Sequence, residues 1–115
     1  MTTERETKTM RIGEVLDWGF NYRRELQFGD LLTGSPGDNA WSIAAVTTGT
    51  APTLGDKSVN STDVTIGGEV VPAYMLTAQF LDATSATAGD YVVTNTVTTV
   101  QGRTFVKDFL LTVLV

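Results

Sequence analysis

The sequence predicts an all-β fold, an immunoglobulin-like β-sandwich of roughly seven strands over residues 15–115, preceded by an extended N-terminal arm over residues 1–14. Short segments alternate apolar and polar residues, which is the period of a half-buried strand. Runs rich in Gly, Asp, Asn and Ser separate these segments, as expected of turns. The C-terminal segment has the pattern of one long closing hairpin. A length of 115 residues fits a single domain.

The prediction of a closing hairpin can be checked for consistency, because the length of its loop decides which side chains of the two strands share a face. A three-residue loop, Val100-Gln101-Gly102 with Gly102 in the left-handed region, gives one apolar face. The cross-strand pairs on that face are then Tyr91 with Leu111, Val93 with Phe109, Val97 with Phe105, and the polar pair Asn95 with Lys107. Thr94, Thr96 and Thr98 fall on the opposite, wetted face. A two-residue loop scrambles this pattern, so the longer loop is predicted.

The first segment, residues 1–14, is charged and rich in threonine with little apolar content. We therefore expect it to lie outside the core. Two interpretations stay open, namely a frayed terminus and an arm that becomes ordered on a neighbouring subunit.

The next elements follow from alternation. Leu16, Trp18, Phe20 and Tyr22 alternate with polar residues and glycine and predict a strand, with a short helix over residues 22–28 as an alternative. The turn-rich run over residues 34–39 leads into a second strand at residues 41–43. Both tryptophans, Trp18 and Trp41, are interpreted as core anchors, since large aromatic side chains dominate burial in small sandwiches.

Beyond this strand, residues 47–60 predict a loop system with one short strand, and Val64 and Ile66 mark another that ends at residues 67–69. A clear half-buried strand follows, in which Tyr74, Leu76, Ala78 and Phe80 alternate with Met75, Thr77 and Gln79. Residues 82–89 form a loop. Tyr91, which follows a Gly-Asp turn at the start of a long strand, fits a tyrosine corner, whose hydroxyl bonds to upstream backbone.

Composition excludes several function classes. Eight Lys and Arg against thirteen Asp and Glu give a net charge of −5, which argues against a nucleic-acid footprint. With no cysteine and no histidine, the chain has no thiolate or imidazole for catalysis or metal binding. The polar start and the lack of a long apolar run predict synthesis in the cytosol, without a signal peptide or membrane span.

The carboxylates mostly flank turns, and no pair has the pattern of a glycosidase site. Asp38-Asn39 and Asp56 lack the dense oxygen-ligand spacing of a calcium site. The glycine runs at residues 34–37 and 67–68 are not followed by Lys-Ser/Thr or a helix, so they predict turns and not phosphate cradles. We therefore predict a protein that is not an enzyme, with no catalytic, cofactor-binding or metal-binding residues. Arg103 at the hairpin tip could contact a carboxylate across an interface.

One resemblance spans residues 16–115. It is carried by Leu16-Asp17-Trp18, Gly29-Asp30-Leu31-Leu32, Trp41-Ser42-Ile43, Ala88-Gly89-Asp90-Tyr91-Val92-Val93-Thr94-Asn95 and, most specifically, Thr98-Thr99-Val100-Gln101-Gly102-Arg103. In these blocks the chain resembles small immunoglobulin-like virion structural proteins of tailed bacteriophages, a group of fibre-tail adaptors and minor tail or neck proteins. It departs from that group in a longer segment at residues 23–28 and at residues 68–73.

The resemblance implies a non-enzymatic adaptor in the tail or neck region of a virion, linking tail or portal components to fibres. Its partners would be other virion proteins and copies of itself in a symmetric assembly, without direct contact to nucleic acid or membrane. The alternative function is a capsid decoration protein or a carbohydrate-binding β-sandwich module. Sugar binding usually requires exposed Trp or Tyr in a groove. Here the aromatic residues mostly occupy positions that the alternation predicts to face the core, which favours the assembly role over the sugar-binding one.

Overall fold

The computed structural model describes residues 6–115, and this part of the chain is built from strands. The nine strands are β1 (Glu6–Arg11), β2 (Val15–Asn21), β3 (Asn39–Ala45), β4 (Thr53–Val59), β5 (Val64–Ile66), β6 (Glu69–Val71), β7 (Leu76–Asp82), β8 (Gly89–Thr98) and β9 (Thr104–Leu114). A single 3₁₀ turn at Pro36–Asp38 precedes β3.

Seven of these strands form two sheets, and β5 and β6 form a separate hairpin. The first sheet has the order β1-β9-β8-β3 and the second has the order β2-β7-β4. Strand β1 runs parallel to β9, and the other pairs are antiparallel. The apolar core contains Met10, Phe20, Tyr22, Leu32, Leu81, Ala83, Ala86, Tyr91, Val93, Val97, Phe109, Leu111 and Val113. The prediction of an all-β β-sandwich is confirmed.

The closing hairpin has the predicted register and loop. Tyr91 pairs with Leu111, Val93 with Phe109, Asn95 with Lys107, and Val97 with Phe105. Thr99 donates its amide to the carbonyl oxygen of Arg103 at 2.8 Å, which closes a three-residue loop. Gly102 has a φ of 81°, the left-handed conformation that this loop requires and that glycine adopts without steric cost.

The structure of residues 6–11 differs from the predicted N-terminal arm. Residues 6–11 are not outside the core but form strand β1, which adds an edge to the first sheet. Its anchor is Met10, which is 1% exposed, whereas the other side chains of the strand are exposed or half-buried. One apolar side chain in six residues is too weak a signal for sequence patterning, and pairing with β9 decides the structure. The remainder of the predicted arm, residues 1–5, lies outside the described residues.

Strand β7 exists as predicted, but its buried face is the polar one. Thr77, Gln79 and Leu81 point into the core, and Phe80 on the other face is 38% exposed. The pairing register with β2 decides which face of β7 is buried, because Phe20 pairs with Thr77 and Trp18 pairs with Gln79. Residues directly opposite each other on antiparallel strands share a face, so β2 turns the polar positions of β7 inward.

The remaining elements largely follow the prediction. Trp18 and Trp41 both pack against the core, Trp18 with its ring 5.8 Å from Phe109. The helix alternative for residues 22–28 is wrong, since the amides of Glu25 and Leu26 both donate to Tyr22 and make only a turn. The strand expected within residues 47–60 is β4. A tyrosine corner is present, because the Tyr91 hydroxyl donates to the carbonyl oxygens of Thr50 and Thr87.

Candidate functional site

Three connections meet at one end of the sandwich, which we call the loop end. They are residues 22–38 between β2 and β3, residues 60–75 between β4 and β7, and residues 99–103 between β8 and β9. Strand direction brings them together, because β2, β4 and β8 finish at this end while β3, β7 and β9 begin there. In β-sandwiches such clustered loops are the usual place for recognition.

Backbone hydrogen bonds tie the three connections into one unit. The amide of Val100 donates to the carbonyl oxygen of Leu31 at 2.8 Å, and the amide of Leu32 donates to Tyr74 at 2.9 Å. Asn60 extends the chain of contacts, since its carbonyl oxygen accepts from the amide of Tyr74 at 2.7 Å. The three connections therefore hold one another in one arrangement.

Asp30 is the centre of this unit. Its side chain is fully buried, and its Oδ1 accepts from the amides of Leu31 at 2.9 Å and Gln101 at 3.0 Å. The Arg103 guanidinium lies 3.5 Å from the other oxygen. Burial by itself raises the pKa of Asp30, but hydrogen bonds from Thr99, Gln101 and Leu31, together with Arg103, outweigh it and hold the pKa below its ordinary value. The carboxylate thus stays charged and fixes the closing hairpin against the first connection.

Two residues of the loop end adopt backbone conformations that are uncommon for side chains other than glycine. Phe28 has a φ of 56° and Tyr74 has a φ of 63°. Such left-handed residues are sparse and concentrate at functional sites. The carbonyl oxygen of Phe28 accepts from the Gln101 side chain at 3.1 Å, which holds the bend in place.

The bend at Phe28 exposes its ring. Phe28 is 85% exposed, and Val100 on the adjacent hairpin loop is 67% exposed. We call this pair the apolar tip. Neither of these large apolar side chains is buried by folding, so neither packs in the core, and Phe28 also has a positive φ. A binding role for the apolar tip is consistent with this geometry.

Beneath the loop end, a polar network crosses the core. Asn95 is 0% exposed, and its Oδ1 accepts from the Tyr22 hydroxyl at 2.9 Å and the Thr77 hydroxyl at 2.8 Å. Its Nδ2 donates to Asn39 Oδ1 at 2.9 Å and to the carbonyl oxygen of Ala40 at 3.0 Å. Burial first, and then the charge of Glu25, raises the pKa of Tyr22, so that the phenol stays protonated as a donor. The alternation in the sequence places Asn95 on the apolar face but gives no sign of this network.

Lys107 makes three contacts at the edge of this network. Its ammonium lies 2.7 Å from the carboxylate of Glu25 and donates to the carbonyl oxygen of Asn21 at 3.1 Å. The same ammonium lies 5.0 Å from the centre of the Tyr22 ring, within the range of a cation–π contact. Strand β9 is thereby fastened to the turn that follows β2.

Two open depressions lie on the described surface. One of about 500 Å³ is lined by Asn21, Arg23, Arg24 and Glu69, and its Arg23 is paired with Glu69 at 2.7 Å. The other, of about 400 Å³, is lined by Trp41, Leu54, Gly55, Asp56, Lys57 and Gln79. Neither brings a nucleophile and a base into contact, the arrangement that nucleophilic catalysis requires.

Within residues 6–115, no group of three or more acidic, histidine or cysteine side chains is arranged to hold a metal ion. None of the helices in the described part is long and apolar enough to cross a membrane. The structure places Asp38, considered in the sequence as a calcium ligand, in a bond with the Thr33 hydroxyl at 2.8 Å, and Asp56 in the rim of the second depression. Arg103 contacts Gln101 as well as Asp30.

Comparisons with protein-family models, with curated proteins and with solved structures found no match to this chain.

Proposed function

We propose that the protein is a non-enzymatic structural subunit of a tailed-bacteriophage virion, an adaptor in the tail or neck region that links tail or portal components to fibres. The observation that carries this proposal is the apolar tip, Phe28 and Val100, held outward on connections that are locked to one another. A preformed apolar knob is the kind of element that anchors one subunit in a pocket of another.

The chemistry of the described surface supports a binding role over a catalytic one. Two ion pairs lie at or beside the loop end, Arg23 with Glu69 and Lys107 with Glu25. Each pair joins a residue that follows β2 to a neighbouring segment and so helps to hold the surface in one arrangement, which suits binding. The resemblance of the closing hairpin sequence to virion adaptors supplies the assignment to a particle, and it is an argument by analogy.

In this proposal the partners are other virion proteins, namely tail, portal or fibre proteins, and copies of this chain arranged around a particle axis. The apolar tip and any pocket that receives it are different surfaces, so a contact between neighbours through the tip would be heterologous, and such contacts close into rings when the rotation permits. Nucleic acid and membrane are not among the proposed partners, in keeping with the net charge of −5.

The second candidate function is a capsid decoration protein or a carbohydrate-binding module. One observation favours sugar binding, because Trp41 lines the 400 Å³ depression beside Asp56 and Lys57. The same ring, however, stacks on Phe20 at 5.6 Å, and its indole N–H donates to Asn39 at 2.9 Å. A tryptophan occupied in this way has less of its surface left for a sugar.

The test is the position of the protein on the particle, followed by substitution of the tip. We expect immunogold electron microscopy with antibody against this chain to label the neck or tail of purified phage particles. Label over the capsid would instead support the decoration protein, and unlabelled particles would overturn a virion role. Binding of the isolated protein on a glycan array would support the sugar-binding module.

The tip itself is tested with Phe28→Ser and a matched control, Val46→Ser. Val46 is also exposed, at 54%, but follows β3 at the opposite end of the sandwich. We expect Phe28→Ser to remain folded and to be lost from particles, while Val46→Ser is incorporated normally. Normal incorporation of Phe28→Ser would remove the tip from the proposal.

A further inference from the structure

The two sheets end in four edge strands, and three of them carry features that discourage pairing with another chain. Strand β1 contains Glu6, Lys8 and Arg11, and β2 contains Asp17. Strand β4 is broken by a register shift between Leu54 and Lys57. Charges and bulges on edge strands are the usual means by which soluble proteins prevent edge-to-edge association.

Strand β3 is the exception among these edges. Its seven residues, Asn39–Ala45, include no charged residue, proline or glycine, and they pair with β8 in one unbroken register. The residues on its outer face, Ala40, Ser42 and Ala44, are small and exposed. An uncharged and regular edge of this length is a template for a further strand.

The unpaired backbone groups of β3 can be assigned from its ladder with β8. The amide of Val46 donates to the carbonyl oxygen of Asp90 at 2.9 Å, so Val46 faces β8 through its backbone. Antiparallel pairs alternate between bonded and non-bonded positions, which gives Ala44 and Ser42 the same orientation. The backbone groups of Trp41, Ile43 and Ala45 therefore point away from β8, toward the free edge.

We propose that β3 pairs antiparallel with β3 of a second copy of this chain, in a two-fold dimer whose axis passes Ile43. The two four-stranded sheets would then form one continuous sheet of eight strands. In this register Ile43 faces its own counterpart, Trp41 faces Ala45, and Ser42 faces Ala44. Each large side chain on the inner face meets a smaller or equal one, and no like charges meet across the edge.

Charge complementarity beside the edge selects a second copy as the occupant. Asp56 and Lys57 line the depression next to Trp41. Lys57 pairs with Gln79 and Gln79 with Trp18, whose ring packs on Phe109. These contacts run across the sandwich at one level of the strands.

Phe109 pairs with Val93, and Val93 pairs with Ile43, so Lys57 lies in the same row of strand pairs as the residue at the proposed axis, and Asp56 precedes it in the chain. Residues in the row of a two-fold axis face their own counterparts, so Asp56 and Lys57 of the two copies would gather beside the axis as two acidic and two basic groups, a set with no net charge. An isologous interface is self-complementary in this sense. The dimer does not depend on the proposed virion role, and its test needs only the purified protein.

The first test is the mass of the protein in solution over a concentration series, by sedimentation equilibrium. We expect the native chain to form a dimer and the double variant Ser42→Lys with Ala44→Lys to be a monomer, because each lysine faces a lysine of the other copy. Val106→Lys is the matched control, since Val106 is 60% exposed on β9, away from the edge. The variants should keep the circular dichroism spectrum of the native protein.

A native chain that stays monomeric throughout the series overturns the proposal. So does a dimer that survives the two lysines, because its interface then lies elsewhere. Loss of dimer in the double variant and in Val106→Lys alike would also overturn it, as the effect would not be specific to the edge.

The second test fixes the register and uses the lack of cysteine in the chain. Ser42 and Ala44 of the two copies would be a non-hydrogen-bonded pair, with Cα atoms about 4.5 Å apart, within reach of a disulfide. We expect an equimolar mixture of Ser42→Cys and Ala44→Cys proteins to cross-link on oxidation. Thr65→Cys, on the separate β5–β6 hairpin, is the control and should not form a cross-link. Cross-linking of Ser42→Cys with itself would move the axis to Ser42 and overturn this register.

Discussion

The hydroxyl of Tyr22 donates to the side-chain carbonyl oxygen of Asn95 at 2.9 Å, and this bond joins the two sheets across the core. Tyr22 directly follows β2 in one sheet, and Asn95 belongs to β8 in the other. Thr77 on β7 donates to the same oxygen at 2.8 Å. Because Asn95 also uses its amide group toward Asn39 and Ala40, this buried polar side chain is satisfied in every direction.

We expect Asn95→Ala to lower the free energy of unfolding by roughly 2–4 kcal/mol, because it leaves the Tyr22 and Thr77 hydroxyls buried without their acceptor. Urea denaturation followed by fluorescence measures this change. Thr96→Ala, on the same strand but the opposite face, is the control and should cost little. An Asn95→Ala variant as stable as the control would show that the network contributes nothing to stability.

Tyr91→Phe tests the tyrosine corner. The hydroxyl of Tyr91 donates to the carbonyl oxygens of Thr50 at 2.9 Å and Thr87 at 2.8 Å, and the residue is 0% exposed. Its removal should destabilise the fold by about 1–2 kcal/mol, since buried acceptors lose their donor. The same substitution at Tyr74, which is 36% exposed, should have a smaller effect in the same denaturation experiment. Equal effects at the two positions would contradict this account.

The closing hairpin was predictable because its information is local. Gly102 fixes the loop, and the alternation on either side fixes the register. Which face of β7 is buried was not predictable in this way. Thr77 and Gln79 face inward only because β7 pairs with β2, which lies more than fifty residues earlier in the chain. Contacts of this separation outweigh the local alternation of apolar residues.

The loop end was also beyond sequence analysis, for the same physical reason. From the sequence, Asp30 is notable only as part of one block of the resemblance, and its role depends on the amide of Gln101, 71 residues away. The exposure of Phe28 could not be read from the sequence either, because a phenylalanine in a polar loop can turn inward or outward. In the structure the ring is exposed, at a residue with a positive φ whose carbonyl oxygen accepts from the Gln101 side chain.

Asp30→Asn should reduce the dependence of stability on acidic pH. The pKa of Asp30 is lowered in the folded state, so its contribution is present above the ordinary carboxyl range near pH 4 and is lost as the pH falls below it. The difference in unfolding free energy between native protein and variant should therefore be largest near neutral pH and shrink in acid. Denaturation measured from pH 7 to pH 2 checks this prediction.

Asp17→Asn is the control for this pH series, because Asp17 is exposed on β2. Asp82 contributes in the same acidic range, since hydrogen bonds from the side chain and backbone of Thr84 lower its pKa. The native profile should therefore keep part of its slope in Asp30→Asn. A difference that grows as the pH falls would contradict the assigned direction.

Gly102→Ala isolates the backbone requirement of the hairpin loop. A Cβ at Gly102 would meet no atom within 4 Å, so the cost comes only from its φ of 81°. We expect a loss of about 1 kcal/mol in unfolding free energy. Gly37→Ala is the matched control, with equally open surroundings but no positive φ, and should be neutral or slightly stabilising. If both variants behave alike, the loop does not require a left-handed residue.

Met10→Ala tests whether β1 is part of the sandwich in solution. Met10 is 1% exposed and belongs to the core, so its truncation should cost roughly 2–3 kcal/mol of unfolding free energy. Thr9→Ala on the exposed side of the same strand should cost much less. If Met10→Ala were as stable as Thr9→Ala, the segment would behave as a detached arm. If the predicted loss is found, deleting the residues before Glu14 would remove a core side chain and an edge strand, and weak incorporation of such a protein into particles would report on folding as well as on assembly.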